Sequence, residues 1–374
     1  MDRCDVLIIG AGIAGASAAY ELQAFASVAL VERESQPGYH ATGRSAALFA
    51  PAEGDRVTRA LTWASRAFYE ARAGGLADHP VLGPRGTLTV APPDQVPALE
   101  RLAQAIAPYS PGLERLDAAG LQARLPALRP GWAAAGLLDP SSFDVDVAAV
   151  HQGYLRGFRA RGGTLLTNAE VMAIGGGDGG TWRVETRAGA FATAVLVDAA
   201  GAWADAIARL AGVTPLGLVA LRRTAFVFEP SRDVDPGWPL VKDAAGTFYV
   251  KPEAGLLLGS PVDETPMAPG DVQAEEIDVA LAAARIEEAF RFHVLRVRRK
   301  WAGLRTFAPD RVPVVGMDER TPGFFWLAGQ GGAGIQSAPA LARAAALLIV
   351  DGVLPDDLLA LGLIAEDLMP ARLR

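Results

Sequence analysis

The segment Gly10-Ala11-Gly12-Ile13-Ala14-Gly15 limits what this chain can fold into more than any other. It follows a short apolar run at 5–9 and opens a helical stretch at about 13–26. Residues 28–32 then alternate like a second strand. Strand, glycine turn, helix and strand form a βαβ unit, and its two strands are parallel neighbours in one sheet. Gly10 permits the tight turn, Gly12 lets backbone approach a pyrophosphate, and Gly15 lets the helix pack closely on the strand. The helix start at Ile13 and Ala14 presents free N–H groups and the positive end of its dipole to phosphates. Glu32 closes the second strand, at the usual distance for an acid that takes ribose hydroxyls, and Arg33 follows it.

Two further glycine segments distinguish among the nucleotides this pattern serves. Thr42, Arg44, Ser45, Ala46 and Ala47 belong to a loop directly after the acid. Its backbone N–H groups and small side chains suit a second phosphate and a flat ring. Near the other end, Gly331, Gly332, Gly334, Ile335 and Gln336 open the last long helix. So many glycines before a helix imply a close approach of backbone to a ligand. The helix start there, with the Gly331 and Gly332 N–H groups, is placed to stabilise negative charge on a reduced ring. Together these features point to FAD.

Length and composition set the frame. A chain of 374 residues suggests two or three domains. The net charge of −7 and pI of about 5.3 argue against a nucleic-acid partner. The single cysteine, Cys4, forms no internal disulfide, so a reducing compartment is the default. His40, His79, His151 and His293 show no metal-ligand spacing. The apolar opening at 6–20 carries regular glycines and lacks the basic flank of a signal peptide, and no apolar run is long enough to span a membrane. A cytoplasmic protein is expected, with peripheral attachment at the inner membrane left open.

Helical periodicity is expected over 56–72, 96–106, 145–161 and 274–290. Strands are expected over 86–91, 164–167, 182–187, 194–198, 223–228, 247–251, 255–258 and 325–328, with a hairpin turn at 175–180.

With these motifs in place the sequence resembles the D-amino acid oxidase superfamily of FAD enzymes, and D-arginine dehydrogenase most closely within it. The matching stretches are 10–17, 32–47, 197–203, 216–223, 248–252, 301–305 and 330–336. The resemblance implies an α/β fold: a Rossmann-like FAD domain interleaved with a mixed-sheet α+β substrate domain. The FAD domain would comprise 1–47, 140–215 and 296–374, and the substrate domain 48–139 and 216–295. It implies non-covalent FAD, with Cys4 far from the flavin ring, and adds Val171, Ala200, Gly201 and Gly303 to the cofactor contacts. It implies that Arg222 and Arg305 bind a substrate carboxylate with help from Tyr249. Both arginines lie in apolar strand contexts, where a buried Arg requires an anionic partner.

Departures from the family pattern fall in the substrate pocket. Leu48, Ala50, Glu53, Thr87 and Ala333 stand where D-arginine dehydrogenase has histidine, threonine, tyrosine, glutamate and tyrosine. Thr87 cannot pair with a guanidinium. Glu53 is either a relocated partner for a cation or a solvated lid residue.

The expected reaction is oxidative deamination of a small D-amino acid. Hydride passes from Cα to flavin N5, and the imino acid hydrolyses to a 2-oxo acid and ammonia. Oxygen, a quinone or another acceptor takes the electrons, and the resemblance favours a dehydrogenase. The alternatives are oxidation of a secondary amine or a 2-hydroxy acid on the same clamp, or a flavin-binding protein without turnover.

Overall fold

Strands with buried apolar ends, flanked by helices on both faces, form the parallel part of an eight-stranded sheet. The computed structural model describes residues 1–176 and 180–374. Asp2–Ile9 runs parallel to Val28–Val31 on one side and to Gly189–Asp198 on the other. Thr164–Leu166 extends the sheet beyond Val28–Val31, and Phe324–Ala328 pairs in parallel with the end of Gly189–Asp198. Val314–Met317, Trp182–Thr186 and Val171–Gly175 complete it with antiparallel pairings. The pairing of the last two strands fits the hairpin expected there, although 177–179 lie outside the described residues. Helix Ile13–Leu22 packs against helix Gly334–Val350 through Ala16, Ala19, Ala338 and Ala345. Small side chains let the two axes approach closely. The FAD-type fold with a second, mixed sheet matches the expected architecture.

The second sheet has nine strands. Its order is Thr265–Pro266, Val219–Pro230, Leu256–Ser260, Tyr249–Glu253, Leu240–Asp243, Thr87–Ala91, Ala135–Asp139 and Glu114–Asp117, with Val294–Phe307 also paired to Val219–Pro230. Side chains alternate between its faces. Leu88, Val90, Phe226, Phe228, Val241, Val250 and Leu257 share a core with Val279, Ala282 and Ile286 of helix Glu276–Ala289. The opposite face carries Thr87, Lys242, Tyr249, Arg223 and Arg305, since these alternate with the core residues along their strands or pair across with ones that do.

Val294–Phe307 crosses the domain boundary expected at residue 296 and hydrogen-bonds into the second sheet. Its first half, rich in exposed Arg and Lys, has no apolar alternation to mark it as a strand. Leu48–Phe49, Phe143–Val145 and Leu82–Pro84 form a small third sheet. Among the described residues no helix is long and apolar enough to cross a membrane.

Candidate active site

A cleft of about 420 Å³ lies between the glycine-rich end of the first sheet and the polar face of the second. Gly10, Gly12, Ile13, Ala14, Glu32, Arg33, Thr42, Arg44, Ser45, Ala46, Val171, Ala200, Gly201, Gly303, Gly331, Gly332, Gly334 and Ile335 line it. Three other residues expected there do not. Gly15 lies beneath the turn, where an added Cβ would sit 1.9 Å from the Gly10 carbonyl oxygen, so its lack of a side chain serves helix–strand packing. Ala47 holds a left-handed backbone at φ 59°, and its carbonyl accepts from the Val145 N–H. The Gln336 side chain turns away and accepts from the Ala50 N–H at 2.9 Å.

Glu32 is buried. Its two carboxylate oxygens accept from the Ala11 and Glu34 N–H groups at 2.9 and 3.0 Å, and each keeps lone pairs for a further donor. The Thr42 hydroxyl accepts from the Ile13 N–H at 3.0 Å and leaves its own proton free to point into the cleft. His151, which the sequence did not single out, lies under the glycine turn with Nε2 2.9 Å from the Ala11 carbonyl oxygen. Burial lowers its pKa, so it is neutral and Nε2 carries the proton donated to Ala11. Asp198 is fully buried, and burial pushes its carboxyl well up; its Oδ1 accepts from the Ala200 N–H in the cleft floor. Tyr39, His40 and Trp203 also line the cleft, with His40 packed on Trp203 at 4.7 Å.

Arg44 does not offer its charge to a phosphate. Its guanidinium donates to the Val272 and Ala302 carbonyls at 3.1 and 3.0 Å and is ion-paired with Asp271. It clasps the 39–47 loop to the second sheet. The Gly331 N–H is likewise occupied, by the Thr306 carbonyl at 2.8 Å, which leaves Gly332 and the helix start behind it to face the cleft.

The expected pair of arginines is corrected by one residue. Arg222 lies on the helix side of the second sheet and is 3% exposed. Its guanidinium is held by Asp278 at 2.6 Å, by Glu275 and, more loosely, by Asp263 at 3.4 Å. It pins the start of helix Glu276–Ala289 and does not reach the cleft. Arg223 takes its place, because adjacent residues of a strand face opposite ways. Arg223, Tyr249 and Arg305 line the cleft together. Arg223 donates to the Asp263 carbonyl at 2.8 Å and pairs with Glu264 at 3.1 Å. Burial and the neighbouring Arg305 push its pKa down to about 10, so it stays cationic at neutral pH. Arg305 lies over Gly332, where an added Cβ would be 2.8 Å from Nη1; among the described residues no carboxylate pairs with it.

The five expected pocket residues stand outside the cleft wall. Ala50 and Ala333 are buried and Leu48 is partly buried. Thr87 is buried with no partner for its hydroxyl among the described residues. Glu53 is ion-paired with Lys242 and its side chain is 44% exposed, so it is partly solvated and not a free partner for a cation.

The cleft fits FAD. Its floor has glycines where side chains would obstruct, a helix N-terminus stands over it, and Glu32 retains acceptor capacity. The Gln330 side-chain Nε2, buried and without an acceptor among the described residues, belongs to a residue of the same wall. An unpaired buried donor implies a bound acceptor.

Comparison with known proteins agrees. The DAO family, described as FAD dependent oxidoreductase, matches residues 5–348. FAD-dependent oxidoreductase domain-containing protein 1 of Bos taurus is 30% identical over 178 residues, which cover 42% of this chain and 36% of that protein. The chain thus spans about a third of the length of the curated relatives of this kind. Among solved structures, L-proline dehydrogenase from P. horikoshii superposes with a TM-score of 0.84 at 20% identity, covering 99% of this chain and 98% of that one. L-alpha-glycerophosphate oxidase from Mycoplasma pneumoniae, solved with FAD bound, gives 0.83 at 20% identity, with 93% and 95% covered. At these identities the likeness is one of fold. The similarity reaches the family and does not single out D-arginine dehydrogenase within it. The cleft and the match along most of the chain lead to one conclusion: this protein belongs to the DAO family of FAD dependent oxidoreductases.

Proposed function

We propose that the protein oxidises the Cα–N bond of a small D-amino acid, with FAD held non-covalently. The observation that supports this best is Arg305, a partly buried guanidinium on the cleft wall that no carboxylate of the described residues pairs with. Such a group calls for an anionic ligand, and Arg favours a carboxylate through two parallel hydrogen bonds. Arg223, whose pKa is lowered to about 10 by burial and then by Arg305, adds a second cation beside it.

When bound, FAD supplies the two-electron acceptor for a hydride from the substrate. The chain's own contribution is positional. Arg305 and Arg223 take the carboxylate, and Tyr249, on the same sheet face, closes the site beside them. The missing side chain of Gly332 leaves Arg305 room to extend. Arg223, Arg305 and Tyr249 serve to hold the carboxylate, so the substrate amine gives its proton to solvent before its lone pair forms the imine. Water then converts the imino acid to a 2-oxo acid and ammonia.

Leu48, Ala50, Thr87 and Ala333 offer no carboxylate to a guanidinium, and Glu53 is already engaged by Lys242. A leucine- or methionine-like side chain is therefore favoured over arginine, gaining about 0.8 kcal/mol per buried CH₂. Anaerobic mixing of the yellow holoenzyme with D-leucine, D-methionine, D-phenylalanine, D-arginine, D-lysine, sarcosine and a 2-hydroxy acid tests the proposal. D-Leucine, D-methionine and D-phenylalanine should bleach the flavin, and D-arginine and D-lysine should do so less readily. Bleaching by sarcosine or the hydroxy acid alone would move the reaction to a secondary amine or an alcohol on the same clamp.

A further inference from the structure

Lys242 is a charged residue of the second sheet that the reaction does not use. It stands directly across the ladder from Tyr249, on the face that carries Arg223 and Arg305. Its ammonium is ion-paired with Glu53, which comes from the turn between strand Leu48–Phe49 and helix Arg56–Glu70. Lys242 is 21% exposed and Glu53 44%, so the pair lies at the rim. The Lys242 ammonium holds the Glu53 carboxyl below its usual range, and Arg59 and Arg305 act in the same direction. Glu53 is thus a carboxylate within the field of Arg305, outside the cleft wall and beside the strand pair that joins Lys242 to Tyr249 of that wall.

A free carboxylate there would attract a cationic side chain. Lys242 already fills that role from within the protein, and its own charge repels an incoming ammonium or guanidinium. We infer that Lys242 determines side-chain specificity: it is a built-in counter-ion to Glu53 that reserves the site for substrates with uncharged side chains. The inference rests on the proposal that the substrate carboxylate is held at Arg305, and it assigns the partner of Glu53 as the element that reads the other end.

Ligand binding tests it without turnover. Hexanoate and ω-aminovalerate have the same length and the same carboxylate, and differ in an apolar or a cationic end. Each is titrated into holoenzyme, and the shift in the flavin spectrum is read. The wild type should bind hexanoate more tightly. Lys242→Met should move the preference toward ω-aminovalerate by about tenfold or more. Lys242→Arg should keep the wild-type preference, and adding Glu53→Gln to Lys242→Met should abolish the gain. If Lys242→Met does not fold, Lys242→Gln makes the same test. Hexanoate binding with an unchanged ratio in the Lys242 variants would overturn the inference and leave the carboxylate site standing. A wild type that prefers ω-aminovalerate would also overturn it. Failure of both ligands to perturb the wild-type flavin would overturn the carboxylate site, and this inference with it.

Discussion

Arg222 and Arg223 are adjacent in the chain and point to opposite faces of one sheet. Arg222 meets Asp278 and Glu275 at the start of a helix, while Arg223 shares the cleft wall with Arg305. Two like residues therefore have different consequences when removed. Arg305→Ala or Arg223→Ala should leave FAD bound and weaken a carboxylate ligand by about 2–5 kcal/mol, since one partner of a desolvated pair is lost. Titration of hexanoate against the flavin spectrum measures this directly.

Arg222→Ala should act on stability. It leaves Asp263 and Asp278 without their cation, at a cost of about 3 kcal/mol, toward the low end for a buried pair because Glu275 is largely exposed. The thermal midpoint of the holoenzyme should fall while carboxylate affinity stays near wild type. A variant of normal stability that had lost carboxylate binding would return Arg222 to the clamp.

FAD should be released intact when the protein is denatured by acid, because Cys4 lies on strand Asp2–Ile9 and does not line the cleft. Gly15→Ala should give a protein with little or no FAD. Its Cβ would meet the Gly10 carbonyl, and overpacking of this kind costs about 1–3 kcal/mol at the turn that shapes the cleft. Flavin absorbance per protein after gel filtration reads both outcomes.

Much of the cofactor cleft was legible in the sequence, because glycine turns before helices are local signals and the acid follows at a fixed distance. The arginine error had a remedy in the sequence. Counting back by twos from Phe226 and Phe228, which share one apolar face, arrives at Arg222 and leaves Arg223 on the other. The Arg44 clasp, the occupied Gly331 N–H and the Glu53–Lys242 pair were not legible. Each depends on residues far apart in the chain meeting across two sheets, and no local pattern encodes such a meeting.

The affinity of a carboxylate ligand should be level through neutral pH and fall as pH rises past about 10. The sign follows from the group: the ligand prefers protonated Arg223, burial and Arg305 have lowered the pKa of that proton, and losing it removes one cation from the clamp. Arg223→Ala should bind more weakly at neutral pH and lack this fall. Persistence of the fall in the variant would assign it to another group.

The central claim is that Arg305 holds the carboxylate of an amino-acid substrate in an FAD enzyme. Anaerobic stopped-flow mixing of wild type and Arg305→Ala with D-leucine tests it most directly. The account predicts complete bleaching of the wild-type flavin at saturating D-leucine. In the variant it predicts a half-saturating concentration higher by about thirtyfold or more, the fold-change that corresponds to a loss of about 2 kcal/mol. Identical concentration dependence in the two proteins would contradict the account.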